Sequence, residues 1–165
     1  MNSILLETKK LFFKKCEFEV LNIEIEKESS DYCALRFEID SQKILFRQAK
    51  ITPTKIGQFV TLWKRNIEKN VIEPFEVSDK IDLFVINVKT EIRFGQFVFP
   101  KSILIEKGIV TDKKEGKLAI RVYPSWDVAE NKQAIKTQKW QLDYFLEIPI
   151  DGNLDVNRVK LLYSK

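Results

Sequence analysis

The chain has 165 residues, 44% hydrophobic and 32% charged, which suits one soluble globular domain with a substantial core. It contains no histidine, which excludes Ser-His and Cys-His nucleophile pairs, His-containing zinc sites and an imidazole base. Cys16 and Cys33 are too few for an all-cysteine zinc site, and a net charge of +4 leaves polyanion binding to local clusters of charge.

The opening stretch MNSILLETKKLFFKK does not read as a signal peptide. Glu7, Lys9 and Lys10 interrupt its apolar runs and no small-residue cleavage site follows. No segment approaches the ~20 apolar residues of a membrane span. A single cytoplasmic domain is expected, with the two cysteines as reduced core thiols.

Ser3 can cap a first helix with Ile4, Leu5, Leu11 and Phe12 on one face and Lys9, Lys10 and Lys14 on the other. Phe18–Lys27 alternates like a strand, with a change of register near Leu21 and Asn22 that predicts a bulge or bend. Tyr32–Asp40 forms a second strand with Leu35, Phe37 and Ile39 inward and Arg36, Glu38 and Asp40 on the other face. The short connection Asp40-Ser41-Gln42 predicts a hairpin into a third strand, Lys43–Ile51. Thr52 then offers an N-cap and Pro53 suits a first turn, so a helix is expected from Pro53 to about Arg65, with Ile56, Phe59, Val60 and Trp63 as its buried face.

From Ser41 to Ile67 there is no Asp or Glu, while Lys43, Arg47, Lys50, Lys55, Lys64 and Arg65 are all positive. After that helix a polar, partly extended loop is expected to run through Pro74 to Asp79. Ile81–Val88 is almost uniformly apolar and β-branched, the pattern of a strand covered on both faces at the centre of a sheet. Lys89-Thr90-Glu91 turns into a strand at Arg93–Phe99. Pro100–Lys107 reads as a short helix stopped by Gly108.

Thr111–Lys117 is a solvated, mobile loop, and Leu118–Tyr123 is a strand ended by Pro124. A helix from about Asn131 to Phe145 buries Ala134, Ile135, Leu142 and Phe145, with Lys132, Lys136 and Lys139 on another side and Trp140 beside them. Asp155–Tyr163 is a last short helix. The pattern predicts an α/β or α+β fold, with a central mixed sheet flanked by helices. The five glycines form neither G-x-G-x-x-G nor G-x-x-x-x-G-K, which excludes a Rossmann or P-loop nucleotide site.

The stretches AKITPTKIGQFVTLWKR (49–65), FGQFVFPKS (94–102), RVYPSWD (121–127) and AIKTQKWQL (134–142) resemble the MepB family of small bacterial proteins, over residues 31–148. The resemblance implies a restriction-endonuclease-like α/β fold and an association with DNA or RNA. Nucleases of that group run helix, three strands, helix, strand. An acidic residue on the second strand and a D/E/Q-x-K triplet on the third hold a divalent metal.

In this chain that pattern falls on Glu38 and on Gln48-Ala49-Lys50. Glu38 and Gln48 would hold Mg²⁺ or Mn²⁺, the metal would acidify a water, and Lys50 would orient it. Gln48 stands where an acid is usual, which weakens such a site. The residues expected to meet nucleic acid are Arg47, Lys55, Gln58, Lys64, Arg65, Lys101, Arg121, Lys136, Lys139 and Trp140. Trp126 and Trp140 are the candidates for stacking on an unpaired base. Two readings stay open: a nucleic-acid-binding protein, with or without metal-dependent phosphodiester cleavage, and a non-catalytic protein-interaction or small-ligand module.

Overall fold

The near-continuous apolar run in Leu83–Lys89 sets the centre of the molecule. Six of its seven residues are buried, because the sheet it belongs to is covered on both faces. The computed structural model describes Thr8 and residues 13–164. The helix expected after Ser3 lies outside the described residues apart from Thr8, Phe13 and Lys14.

The described strands are β1 (Leu21–Ile25), β2 (Leu35–Ile39), β3 (Gln42–Gln48), β4 (Lys50–Ile51), β5 (Gln58–Thr61), β6 (Trp63–Asn66), β7 (Val71–Pro74), β8 (Leu83–Lys89), β9 (Phe94–Pro100), β10 (Ala119–Val122) and β11 (Phe145–Glu147). The helices are α1 (Lys101–Glu106), α2 (Lys132–Gln141) and α3 (Val156–Tyr163).

The main sheet has the order β1-β2-β3-β8-β9-β11, with β3 and β8 parallel and every other pair antiparallel. This is the central mixed sheet that the sequence predicts. On one face Leu35, Phe37, Ile39, Ile44, Phe46, Leu83 and Val85 pack against Phe13 and against Val159, Leu162 and Tyr163 of α3. On the other face Leu45, Phe84, Ile86, Phe97 and Phe99 pack against Leu104 of α1 and against Val60, Ile120 and Val122 of a second sheet, β10-β5-β4. Cys16 is buried and Cys33 half-buried, both free, as expected of reduced thiols. Among the described residues no helix is long and apolar enough to cross a membrane.

The parallel step from β3 to β8 needs a long crossover, commonly a helix. In this chain it is built from β4 to β7, and the helix expected from Pro53 to Arg65 does not form. Gln58, Val60 and Leu62 are each at most 2% exposed while Phe59 and Thr61 are half-buried, so the burial period is two rather than 3.6. Gly57 has φ +83°, and a Cβ there would stand 2.7 Å from the Tyr123 ring. This left-handed turn breaks the chain before β5 and lets it pair with β10. Trp63, expected on a buried helix face, is half-buried on β6 opposite Pro74.

Two other boundaries move. The third strand ends at Gln48, and the chain changes sheets at Ala49, whose N–H donates to the Asn87 carbonyl. The helix expected to Phe145 stops at Gln141, after which a tight turn leads Phe145 into β11. Ile135, expected inside, is exposed, while Gln141 is buried. The bulge expected near Leu21 and Asn22 is present, with Asn22 at φ 54°.

Candidate nucleic-acid groove

A groove of about 700 Å³ runs between β10 and α2. Two glutamines fix the relation of its walls. The Gln141 side chain accepts from the Tyr123 N–H and donates to the Arg121 carbonyl, both at 2.9 Å, and so satisfies the open edge of β10 as a further strand would. Gln138 donates to the carbonyls of Pro124 and Asp127 at 2.9 and 2.8 Å. Asn131 caps the start of α2 by accepting from the Ala134 N–H at 2.8 Å.

Among the described residues the cations of the groove are Lys107, Lys117, Arg121 and Lys136, and the one carboxylate is Glu106. Lys107 follows α1 directly, where Gly108 at φ 71° turns the chain back as expected of a C-cap. Lys117 is held by its N–H to the Ile109 carbonyl at 2.9 Å. Gly116 permits that approach, since a Cβ there would lie 2.2 Å from the same carbonyl oxygen. Arg121, half-buried in the groove lining, donates to Thr52 Oγ1 at 2.9 Å and reaches toward the carbonyls of Ile56 and Gly57, so it braces the 52–57 turn. Lys136 projects from α2 and is exposed. Trp140 is half-buried in the groove wall, its ring centroid 5.5 Å from that of Phe99, with Lys107 Nζ 5.5 Å from its own.

Three of the residues expected to meet nucleic acid, Arg121, Lys136 and Trp140, therefore come together. Lys107, Lys117 and Tyr123 join them without having been singled out in the sequence. Lys55 and Lys139 are exposed but do not line the groove.

The remaining expected contacts are committed elsewhere. Gln58 is 2% exposed and donates to the Lys89 carbonyl. Lys64 is bound by Glu76 at 3.0 Å and Asp79 at 2.8 Å; burial opposes its charge, but these two carboxylates outweigh it and raise its pKa. Arg65 pairs with Glu28 at 2.7 Å, and Lys101 donates to the carbonyls of Val77 and Asp79.

Arg47 is a buried structural cation. It is 1% exposed, pairs with Glu26 at 2.8 Å and donates to the Phe46 carbonyl at 3.0 Å. Arg47 and Arg36 both lie over the Phe75 ring. Burial lowers the Arg47 pKa, and Glu26 opposes that fall. The acid-free window of the sequence is thus not one basic surface.

Glu38, Gln48 and Lys50 do not converge. Glu38 stands opposite Lys43 in the β2-β3 register, and Gln48 lies five residues further along β3. At ~3.3 Å per residue that is about 16 Å. The faces differ as well, since residues of odd and even number along β3 point to opposite sides. Glu38 shares the side of Lys43, Leu45 and Arg47, where it accepts from Asn22 and borders a separate hollow of about 250 Å³.

Gln48 shares the side of Ile44 and Phe46 and starts a row across the sheet, Gln48-Asn87-Gln96, continued by Tyr163. Gln96 donates to Asn87 Oδ1 at 2.5 Å, Tyr163 donates to Gln96 Oε1 at 2.6 Å, and Asn87 donates to Thr8 Oγ1 at 3.1 Å. Lys50, in the second sheet, places its ammonium 4.8 Å from the Tyr32 ring centroid. Continuing the β2-β3 register, a carboxylate facing Gln48 would stand near residue 33, which is a cysteine. Among the described residues no three of Asp, Glu, Cys and His are grouped to hold a metal ion. The residues expected to bind Mg²⁺ or Mn²⁺ therefore do not fit that role.

The sequence pattern of the MepB-like family matches residues 26–147. The crystal structure of MepB superposes with a TM-score of 0.77 at 40% identity, covering 89% of this chain and 97% of that one. A bacterial homing endonuclease gives a TM-score of 0.49 at 17% identity, over 86% of this chain and 88% of the other, a likeness too slight to carry chemistry across. No curated protein matches the chain. The chain belongs to the MepB-like family.

Proposed function

We propose that this protein binds nucleic acid, DNA or RNA, in the groove between β10 and α2. The observation that carries the reading is the charge of that groove: Lys107, Lys117, Arg121 and Lys136 line it, with Glu106 as the single opposing carboxylate among the described residues. Elsewhere Arg47, Lys64 and Arg65 are neutralised by Glu26, by Glu76 and Asp79, and by Glu28, and Lys101 is spent on backbone carbonyls, while Lys55 and Lys139 stand exposed outside the groove. Lys117 and Lys136 have no ion-pair partner among the described residues. Free lysines around a concave site attract a phosphate backbone and release its condensed counterions.

The function is binding, and no cleavage step is routed through Glu38, Gln48 and Lys50, which face different environments. The strand order β1-β2-β3 followed by a parallel β8 is the order that the nuclease resemblance implies, with β-structure in place of its second helix.

A salt titration of binding to labelled DNA and RNA tests this. Retention at low salt that falls steeply as salt rises is expected. No retention of either polymer at low salt would overturn it and leave the groove to a small anion or an acidic protein segment.

A further inference from the structure

The three tryptophans differ in what surrounds them, and the difference indicates what the groove accepts. Trp63 sits on β6, away from the groove. Trp126 is boxed in: Phe145 packs on it at 5.7 Å, and Arg93 lies 4.9 Å from its ring centroid. Arg93 cannot readily leave, because Glu147 holds it through two hydrogen bonds of 2.9 and 2.7 Å. The indole N–H of Trp126 is buried without a partner among the described residues.

Trp140 is covered differently. Phe99 packs on the ring at a 49° tilt, and among the described residues the only cation over it is the Lys107 ammonium. Lys107 is weakly held, since its one ion-pair partner among the described residues is the adjacent Glu106 at 3.8 Å, an exposed side chain. An exposed pair of that length and an exposed cation–π contact are both readily exchanged.

We infer that the groove takes an unpaired strand, and that one base replaces the Lys107 ammonium on the Trp140 ring, which frees Lys107 to meet a phosphate. This rests on the reading of the groove as a nucleic-acid site. In a duplex every base is already stacked and paired, so an aromatic ring in a groove wall reaches a base only where the strand is single or the base has been extruded. The Trp140 ring lies on the same groove as Lys117 and Lys136, so stacking and phosphate contacts come from one strand running along it. A ring has a face for any base, and the site is therefore indifferent to sequence.

The test compares a labelled oligothymidylate, an oligouridylate and a blunt duplex of equal length, by fluorescence anisotropy on the whole chain. Each single strand should bind about tenfold tighter or more than the duplex and quench tryptophan emission. Trp140→Ala should lose about ten- to a hundredfold on single strands and little on the duplex, while Trp140→Phe retains most of the affinity. Lys107→Gln should keep the quench and lower the salt slope by about 0.7. Trp140→Phe and Lys107→Gln keep the question answerable if Trp140→Ala fails to fold. Equal affinity for duplex and single strand, or an unchanged single-strand affinity in Trp140→Ala, overturns stacking. In that event, a salt slope lowered by Lys117→Ala with Lys136→Ala would still uphold the basic groove. Absence of binding by every probe at low salt overturns both readings.

Discussion

The β2-β3 hairpin and the β10-α2 groove are both rich in cations, yet they do opposite things with them. In the hairpin Arg47 is enclosed between Glu26 and Phe75, and the charge serves the fold. In the groove Lys117 and Lys136 are exposed, and Arg121 lines the groove while its guanidinium braces a turn. A positive residue therefore indicates a ligand site only after its partners have been counted. Desolvation settles which is which, because a buried cation must be matched by an anion and a solvated one need not be.

The largest expected effect lies in the hairpin. Arg47→Ala removes the buried cation of this pair and leaves Glu26, 18% exposed, with Arg36 at 3.6 Å, so it should cost about 3 kcal/mol, read as a lowered urea midpoint. Replacing both partners, Arg47→Met with Glu26→Gln, should recover a large part of that loss. If Arg47→Ala instead left stability intact and weakened nucleic-acid binding, the contrast between the two regions would be reversed.

The converse change is Lys117→Ala with Lys136→Ala. Stability should stay within about 0.5 kcal/mol, as for exposed residues in general. Binding should weaken by about tenfold at low salt, with the slope of log K against log salt reduced by about 1.4 for a single strand. A melting temperature lowered along with affinity would mean that these lysines are structural after all.

A smaller effect belongs to the buried polar row. Burial pushes the Tyr163 hydroxyl well above its ordinary range. The folded chain thus keeps a proton that the unfolded chain releases near pH 10, so this stabilisation is complete below about pH 10 and is lost as pH rises beyond it. Tyr163→Phe should abolish that alkaline fall and cost about 1 kcal/mol at neutral pH, because Gln96 Oε1 loses its donor. Unfolding curves at several pH values separate the two effects.

The smallest is Lys50→Ala. It removes only the exposed contact with Tyr32, about 0.5 kcal/mol, and should leave affinity unchanged. A large loss of affinity would return Lys50 to the functional site.

Much of the fold is legible in the sequence, and its failures have physical causes. The unbroken apolar run of β8, the alternation of Leu35, Phe37 and Ile39, Gly108 closing α1 and the short last helix all follow from local pattern. The segment from Pro53 to Arg65 misleads because Ile56, Phe59, Val60 and Trp63 suit a helix while Gln58, Val60 and Leu62 suit a strand. The pairing with β10, more than fifty residues away, decides between them. Ile135 misleads because α2 is tied down by the amides of Gln138 and Gln141 rather than by an apolar stripe.

The site divides in the same way. Lys136 and Trp140 belong to one helix, so their pattern is visible locally. Lys107 and Lys117 lie on other segments and meet them only through the tertiary fold. Arg47 looks like any basic strand residue, since nothing near it in the chain reveals that Glu26 waits across the sheet.

The salt dependence of single-strand binding, measured for the unaltered chain and for Lys117→Ala with Lys136→Ala, tests the central claim most directly. With the groove as the site, log K falls with a slope of about −2 for three lysine–phosphate contacts, and the double variant flattens it to about −0.7. An equal slope in both proteins, or no retention at low salt, would contradict the assignment of the groove.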